Sequence, residues 1–498
     1  MHPRDAANDA RVPAPPRNLF LSVVPPIVLP VFLAAADGTV VAVALPAIAA
    51  TFGEVERLSW VVVANLIANT IAAPAYGRLG DLLGRRNMML AALAIFMAAS
   101  VLCAFSTSLP MLICARILQG FGGGGLMTLA QALVGQRVPA RSLGSYQGYL
   151  STCIVAGATF SPVAGGFVTE AWGWQAVFLS YLPLCAVAMV LVARLPRDPP
   201  SQGRGSFDAT GLVLLTGFIV PLLLALSSVQ RLDPSAVPMM LALVAVSTAA
   251  LALLIWQQLR APAPLLAIRL IRQPAFWRSD VMAACSGASL TALLTFLPIY
   301  LQVVTGASPA ETGLLLLPLT FSVSSGSVVT GWLISRSGRT AIFPSIGLMV
   351  TAATLIVLAI WSPVLSRSQI SWILALGGVC QGASMITAQV TVQVVAGPRQ
   401  LGAAAASVQL ARALGSAFGV ALAGAVLFTT LSALDPSAAS LFFEAVRRGP
   451  HIIAMLPGEQ QAAVQAEIAA AFRGVFLTVA CFSCTIVVMA WTLPVRRL

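Results

Sequence analysis

The chain contains no lysine: all 28 of its basic residues are arginine. A Walker A phosphate loop needs a Gly-Lys-Ser/Thr step, so no ATPase site of that kind can be built here, and uphill work must draw on an ion gradient or a partner ATPase. Histidine is nearly absent too, with only His2 and His451. That leaves no His-based metal site and no Ser-His-Asp triad within the apolar runs, and neither catalytic residues nor metal ligands are assigned. Charged residues make up 9 % of the chain, against about 25 % in soluble domains. Mean hydropathy is +0.92, which excludes an ordinary soluble surface. The 8 cysteines lie in or at the edge of apolar runs, so no disulfide framework is implied. Cys481 and Cys484 have CxxC spacing inside the last run, where cysteine is usually a small packing residue.

What is present is apolar sequence in long blocks. A membrane span needs about 20 apolar residues, and windows of that length recur about fourteen times, from one centred near Leu33 to one near Val487. These runs do not alternate apolar and polar residues as barrel strands do, so the spans are helices. The first run continues past Asp37 to Ala50, too long for a signal-peptide core despite Ala34-Ala35-Ala36, and reads as an uncleaved span. With the N-terminus inside, most arginines fall on the cytoplasmic side, so both termini are expected there. The formal charge of +12 then reflects topology and contact with anionic lipid rather than nucleic-acid binding.

Several segments carry more than hydropathy. Residues 147–170 could span a bilayer yet hold Gly148, Gly157, Ser161, Pro162, Gly165 and Gly166. The glycines leave notches for a neighbouring helix, and Pro162 bends the span. Between spans two and three, 77–87 reads Gly77-Arg78-Leu79-Gly80-Asp81-Leu82-Leu83-Gly84-Arg85-Arg86-Asn87. A weaker echo at 331–339 keeps glycine and arginine but has Ser335 where the acid would stand, which argues for an internal duplication. Arg116, in Arg116-Ile117-Leu118-Gln119-Gly120, lies a turn or two inside span four and must face protein or water. Asp37, deep in the first span, loses hydration, which suits a group that loads and releases protons near neutrality. Every other acid is expected in a loop or near a span end. Thr39, Asn65, Gln119, Gln302, Gln389 and Arg412 are candidate cavity residues amid many Met, Phe and Leu. Such walls suit lipophilic or amphipathic compounds better than sugars.

These motifs resemble the major facilitator superfamily, and in particular its fourteen-span drug:proton antiporters. The spacing from Gly148 to Gly166 is similar to the antiporter signature, with Ser161 for glycine. The 77–87 loop matches the superfamily loop signature, and 116–120 matches its Arg-x-x-Gln-Gly element. Asp37-Gly38-Thr39 through Pro46 resembles the first-span element, with Ala42 for asparagine. Trp172-Gly173-Trp174-Gln175 and Gly402 through Gly415 extend the likeness over nearly the whole chain. The resemblance implies an all-α membrane protein of two six-helix bundles plus two inserted helices, 14 transmembrane helices in all. It also implies a latch at Gly77, Asp81, Gly84, Arg85 and Arg86, and proton coupling through Asp37 and Arg116. No cofactor is expected beyond a proton gradient.

The expected organisation is a cytoplasmic tail 1–18, a first bundle 19–196, a linker with two inserted helices 197–275, and a second bundle 276–498. The last includes an outside loop 431–473, read as holding short amphipathic helices near 441–448 and 460–472. The expected function is proton-coupled export of lipophilic or amphipathic drug-like compounds from the inner membrane by alternating access. A dedicated exporter of one metabolite, antibiotic or siderophore is the alternative, and a transport-inactive sensor or scaffold a remote one. A periplasmic adaptor is a candidate partner, as are membrane lipids.

Overall fold

The computed structural model describes residues 19–53, 57–196, 206–229, 237–266, 268–338, 342–397, 400–448 and 457–494. The expected tail 1–18 and most of the Arg-rich linker at 197–205 lie outside the described residues, as do Arg339, Arg399 and His451.

The described chain is helical. In order come α1 (Leu19–Phe52), α2 (Ser59–Leu83), α3 (Arg85–Ala104), α4 (Leu109–Arg137), α5 (Leu143–Trp172), α6 (Trp174–Leu179) and α7 (Tyr181–Ala193). An inserted pair follows, α8 (Ala209–Val229) and α9 (Val237–Arg260), with a short α10 (Ile268–Ile271). The chain continues with α11 (Pro274–Val303), α12 (Pro309–Ser337), α13 (Ile342–Trp361), α14 (Arg367–Ala396), α15 (Leu401–Leu434), α16 (Pro436–Arg448) and α17 (Gly458–Trp491). Among the described residues 13 spans are long and apolar enough to cross a membrane, α6 and α7 together forming one of them. The 20-residue α13 brings the total to about fourteen.

Local chemistry sets the breaks. Gly84, at φ +91°, lets the chain reverse between α2 and α3 with a single residue. Ser308 and Ser366 open α12 and α14 with reciprocal capping, each accepting from the backbone of Glu311 or Gln369 while that side chain accepts from the serine N–H. Pro162 lies inside an unbroken α5. The stretch 460–472, expected as a separate short helix, is instead the start of α17. Nothing between Gln460 and Trp491 stops a helix, so the polar opening simply continues into the span.

Helices α1–α7 share one apolar core, with Val31, Met89, Phe96 and Phe178 fully enclosed. Helices α11–α17 build a second, around Tyr300, Phe472 and Phe476. The inserted α8 packs on α2 and α15, so the hairpin straddles the seam between the halves. Asp208 ties its base together, accepting from Gly211 N, Gln257 Nε2, Gln258 Nε2 and Leu265 N. Large apolar side chains such as Phe160, Val213, Leu253, Trp256 and Trp372 face outward, as lipid contact requires. The ends of α2, α4, α7, α9, α12, α14 and α17 gather at one side with Arg78, Arg85, Arg86, Arg137, Arg260 and Arg336, here the Arg-rich end.

Candidate functional site

The centre of the first half is a buried ion pair. Arg116 is 1 % exposed and Asp37 4 %. Arg116 Nη1 donates to Asp37 Oδ1 over 2.6 Å and to Gln119 Oε1 over 2.6 Å, while Nε donates to the Val61 carbonyl at 3.2 Å. Asn65 Nδ2 donates to the other carboxylate oxygen at 3.0 Å. Gln119 passes the chain on, its Nε2 donating to Ser100 Oγ at 2.9 Å, and the guanidinium sits 5.9 Å from the Phe178 ring centre. Both carboxylate oxygens of Asp37 are therefore satisfied and its charge is balanced.

The sequence makes this closeness possible. A Cβ on Gly120 would stand 2.4 Å from the Asn65 carbonyl oxygen, so only glycine lets α4 approach α2 this tightly. On the other side, a Cβ on Gly157 of α5 would lie 3.0 Å from Ala35 Cβ and 3.1 Å from the Phe32 carbonyl oxygen. That glycine rests on the turn of α1 that carries Asp37. Gly165 and Gly166 face Val40 and Val43 further along α1, Gly148 faces Ser327 and Val328 of α12, and Ser161 is buried.

A second cluster joins the halves at the Arg-rich end. Arg85 Nη2 donates to Asp81 Oδ1 at 2.6 Å. The same carboxylate accepts from the first N–H groups of α15, Gly402 N at 3.0 Å and Ala403 N at 3.2 Å. Beside it Gly77 and Gly402 meet backbone to backbone. Arg86 donates to the carbonyls of Val192 and Ala193. The echo in the second half is built alike: Ser145 N, at the start of α5, donates to Ser335 Oγ at 3.1 Å, and Gly331 abuts Gly144. A third bridge links Gln147 Nε2 to Gln393 Oε1 at 3.1 Å, with Gln393 Nε2 donating to the Gln131 carbonyl.

Of the six expected cavity residues, Asn65 and Gln119 belong to the ion-pair network. Thr39 donates to the Ala36 carbonyl of its own helix. Gln302, Gln389 and Arg412 lie in the second half. Gln389 is 3 % exposed with neither amide atom bonded, and Arg412 donates to Gln409. A cavity of about 750 Å³ opens at the opposite end, lined by Tyr300, Glu311, Ser362 and Arg367 among others, and none of the six lines it. Asp280 lies near a span end, as expected of every acid but Asp37, yet it was not expected to be enclosed. It lies inside α11 with Ser407 donating to Oδ2 and with Oδ1 buried and unpartnered. Asp208 was equally uncalled for by motif, although an acid three residues before Gly211 has the form of a helix cap.

Known proteins place this architecture. The model of the Major Facilitator Superfamily matches residues 27–420. An uncharacterized transporter of the major facilitator type from Mycobacterium tuberculosis is 32 % identical over 422 residues, covering 83 % of this chain and 60 % of that protein. The multidrug transporter protein MdtP of Bacillus subtilis is 28 % identical over 403 residues, 80 % of this chain and 74 % of the relative. The crystal structure of the human organic anion transporter MFSD10 superposes with a TM-score of 0.63 at 15 % identity, covering 94 % of this chain and all of that one. The chain spans about three fifths of the length of the first of these relatives, and it belongs to the major facilitator superfamily as a multi-pass membrane protein.

Proposed function

We propose that this protein is a proton-coupled exporter of lipophilic or amphipathic compounds, of the fourteen-span antiporter kind. The observation that carries the reading is the buried Asp37–Arg116 pair. A buried pair is costly to keep and costlier to half-break, which makes it suited to two states. Protonating Asp37 discharges the carboxylate and frees Arg116 to lean on Gln119 and the Val61 carbonyl. Deprotonation restores the pair. Substrate that binds only one of these arrangements is thereby exchanged against the proton.

The Arg-rich end is taken as the cytoplasmic face, because positive residues collect there. The three bridges between the halves then bar access from the cytoplasm, with Asp81 reinforced by the positive N-terminus of α15. The inserted α8–α9 hairpin and the likeness to MdtP support membership of the drug-exporting group. Reconstitution tests the reading directly. Vesicles holding only this protein should accumulate or lose ethidium when a pH gradient is imposed, with no ATP present. Transport indifferent to the gradient would overturn it, and gradient-driven transport confined to one compound among several unrelated dyes would turn it into a dedicated exporter.

A further inference from the structure

Asp280 sits about two turns into α11, far in sequence from the pair just described and differently equipped. Ser407 of α15 donates to Oδ2, while Oδ1 is buried with no donor. Among the described residues Asp280 makes no ion pair. Helix α11 packs on α10, α12, α14, α15 and α17; the Arg269 side chain of α10 lies outside the described residues, and the other charged groups there have contacts of their own. Arg278 donates to the Thr492 carbonyl and stacks on Trp277. Arg412 of α15 donates to Gln409 through Nη1 while its Nε is buried without a partner among the described residues, and Arg336 of α12 covers Trp332. Glu311 and Arg367 pair at the opposite end, where Glu467 and Arg473 of α17 also lie.

Asp280 as a whole is half-buried, but an ionised carboxylate with one oxygen enclosed without a donor, one hydroxyl donor on the other and no cation is poorly solvated, and binding a proton removes the charge. Asp37, with Arg116 on one oxygen and Asn65 on the other, has the opposite surroundings. The position of Ser407 adds a route for release. It lies within the first two turns of α15, the helix whose leading N–H groups Asp81 holds and whose Gly402 abuts Gly77 of the other half. Parting the halves at the Arg-rich end strips α2 from α15 and lets water toward Asp280.

We propose that Asp280 is a second proton-binding carboxylate, loaded while the Arg-rich end is bridged and discharged when the halves separate there. In the release step the acid O–H bond breaks, the proton passes to entering water, and the carboxylate that is left is solvated by that water. As a role in transport this rests on the exporter reading above, and gives two protons per cycle, one on Asp37 and one on Asp280.

Two measurements test it separately. Infrared difference spectra of the purified protein between acid and alkaline buffer should contain a protonated-carboxyl stretch that Asp280→Asn removes and Asp37→Asn retains. Ser407→Ala should keep that band but move its frequency, because Ser407 is its only hydrogen-bond partner among the described residues. A spectrum that Asp280→Asn leaves unaltered overturns the assignment, whatever the protein transports. In vesicles with ethidium as probe, Asp280→Asn should lower the protons exchanged per dye from two to one and weaken the dye gradient that a given pH gradient supports. An unchanged count with the band lost would deny Asp280 any part in the cycle. If the wild type shows no proton coupling but the band behaves as described, the exporter reading falls and the proton site stands.

Discussion

Asp81 and Gly402 are 321 residues apart and belong to opposite halves, yet Gly402 N donates to Asp81 Oδ1 over 3.0 Å. The carboxylate therefore serves two partners, the Arg85 guanidinium within its own half and the N-terminus of α15 across the seam. Of these, only the bonds to α15 belong to the bridged conformation alone, so neutralising Asp81 weakens that conformation more than the other. Asp81→Asn should cost that state about 1.5–3 kcal/mol, a shift of roughly tenfold or more in the ratio of closed to open molecules. Single cysteines placed near the Arg-rich ends of α4 and α14, in a cysteine-free background, should label faster. Labelling at the wild-type rate together with lost substrate binding would move Asp81 from latch to binding site.

The counterpart in the second half is neutral, Ser145 N donating to Ser335 Oγ where a carboxylate could stand. Ser335→Ala removes two neutral hydrogen bonds across the seam, from Ser145 N and Ser145 Oγ, each worth about 0.5–1.5 kcal/mol, and no charge, so it should slow transport less than Asp81→Asn. Ser335→Asp should do the reverse. An acid there would accept from the first turn of α5 and gain from its positive end, so the bridged state is over-stabilised and turnover falls while labelling at the Arg-rich end slows. A variant that labels faster than wild type would show the site cannot hold a second latch.

The loop containing Asp81 was readable because its residue types and spacing are unusual, but its partner was not. A backbone N–H at a helix start carries no side-chain signal, so Gly402 could be noticed only as a small residue. Asp37 and Arg116 were each readable as charges within apolar runs, and electroneutrality alone argues that they meet. Asp280 was hidden by its place near the beginning of α11, where an acid looks like an interfacial residue until the packing of α15 against it is known. The amide bridge of Gln147 and Gln393 was invisible for the same reason: glutamines in spans are common enough that only the fold says which ones face across the seam. Amphipathic sequence at 460–472 misled in the other direction, since periodicity marks a helix but not where it ends.

Helix α5 supports α1 through Gly157, whose missing side chain leaves room for Phe32, Ala35 and the backbone of Ala36, next to Asp37. Gly157→Leu must push α1 away or tilt it, at about 1–3 kcal/mol of strain. The displaced turn carries the carboxylate, so uncoupled leak of protons or substrate is expected together with reduced transport. Pro162→Leu restores a backbone donor without adding bulk at this contact and should have the milder effect on leak. Full coupling in Gly157→Leu vesicles would reduce the glycine to ordinary packing.

The last prediction separates charge balance from proton carriage at the buried pair. Asp37→Asn keeps an oxygen for Arg116 Nη1 and an amide beside Asn65, but leaves the guanidinium buried without a counter-charge. Removing one member of such a pair typically costs about 3–5 kcal/mol, softened here by Gln119, the Val61 carbonyl and the Phe178 ring. Asp37→Asn should therefore lower the yield of folded protein as well as abolish gradient-driven transport. Arg116→Gln should lower the yield too, by leaving the carboxylate unmatched. The double variant Asp37→Asn, Arg116→Gln is neutral and hydrogen-bonds within the same network, so its melting temperature in detergent should exceed that of either single variant. Its transport should stay uncoupled, because the carboxylate proposed to carry the first-half proton is then gone. If the double variant is no more stable than the singles, the pair does not balance charge in the folded protein. If it still concentrates ethidium against a gradient, and does so with Asp280→Asn added, the first-half proton site lies elsewhere.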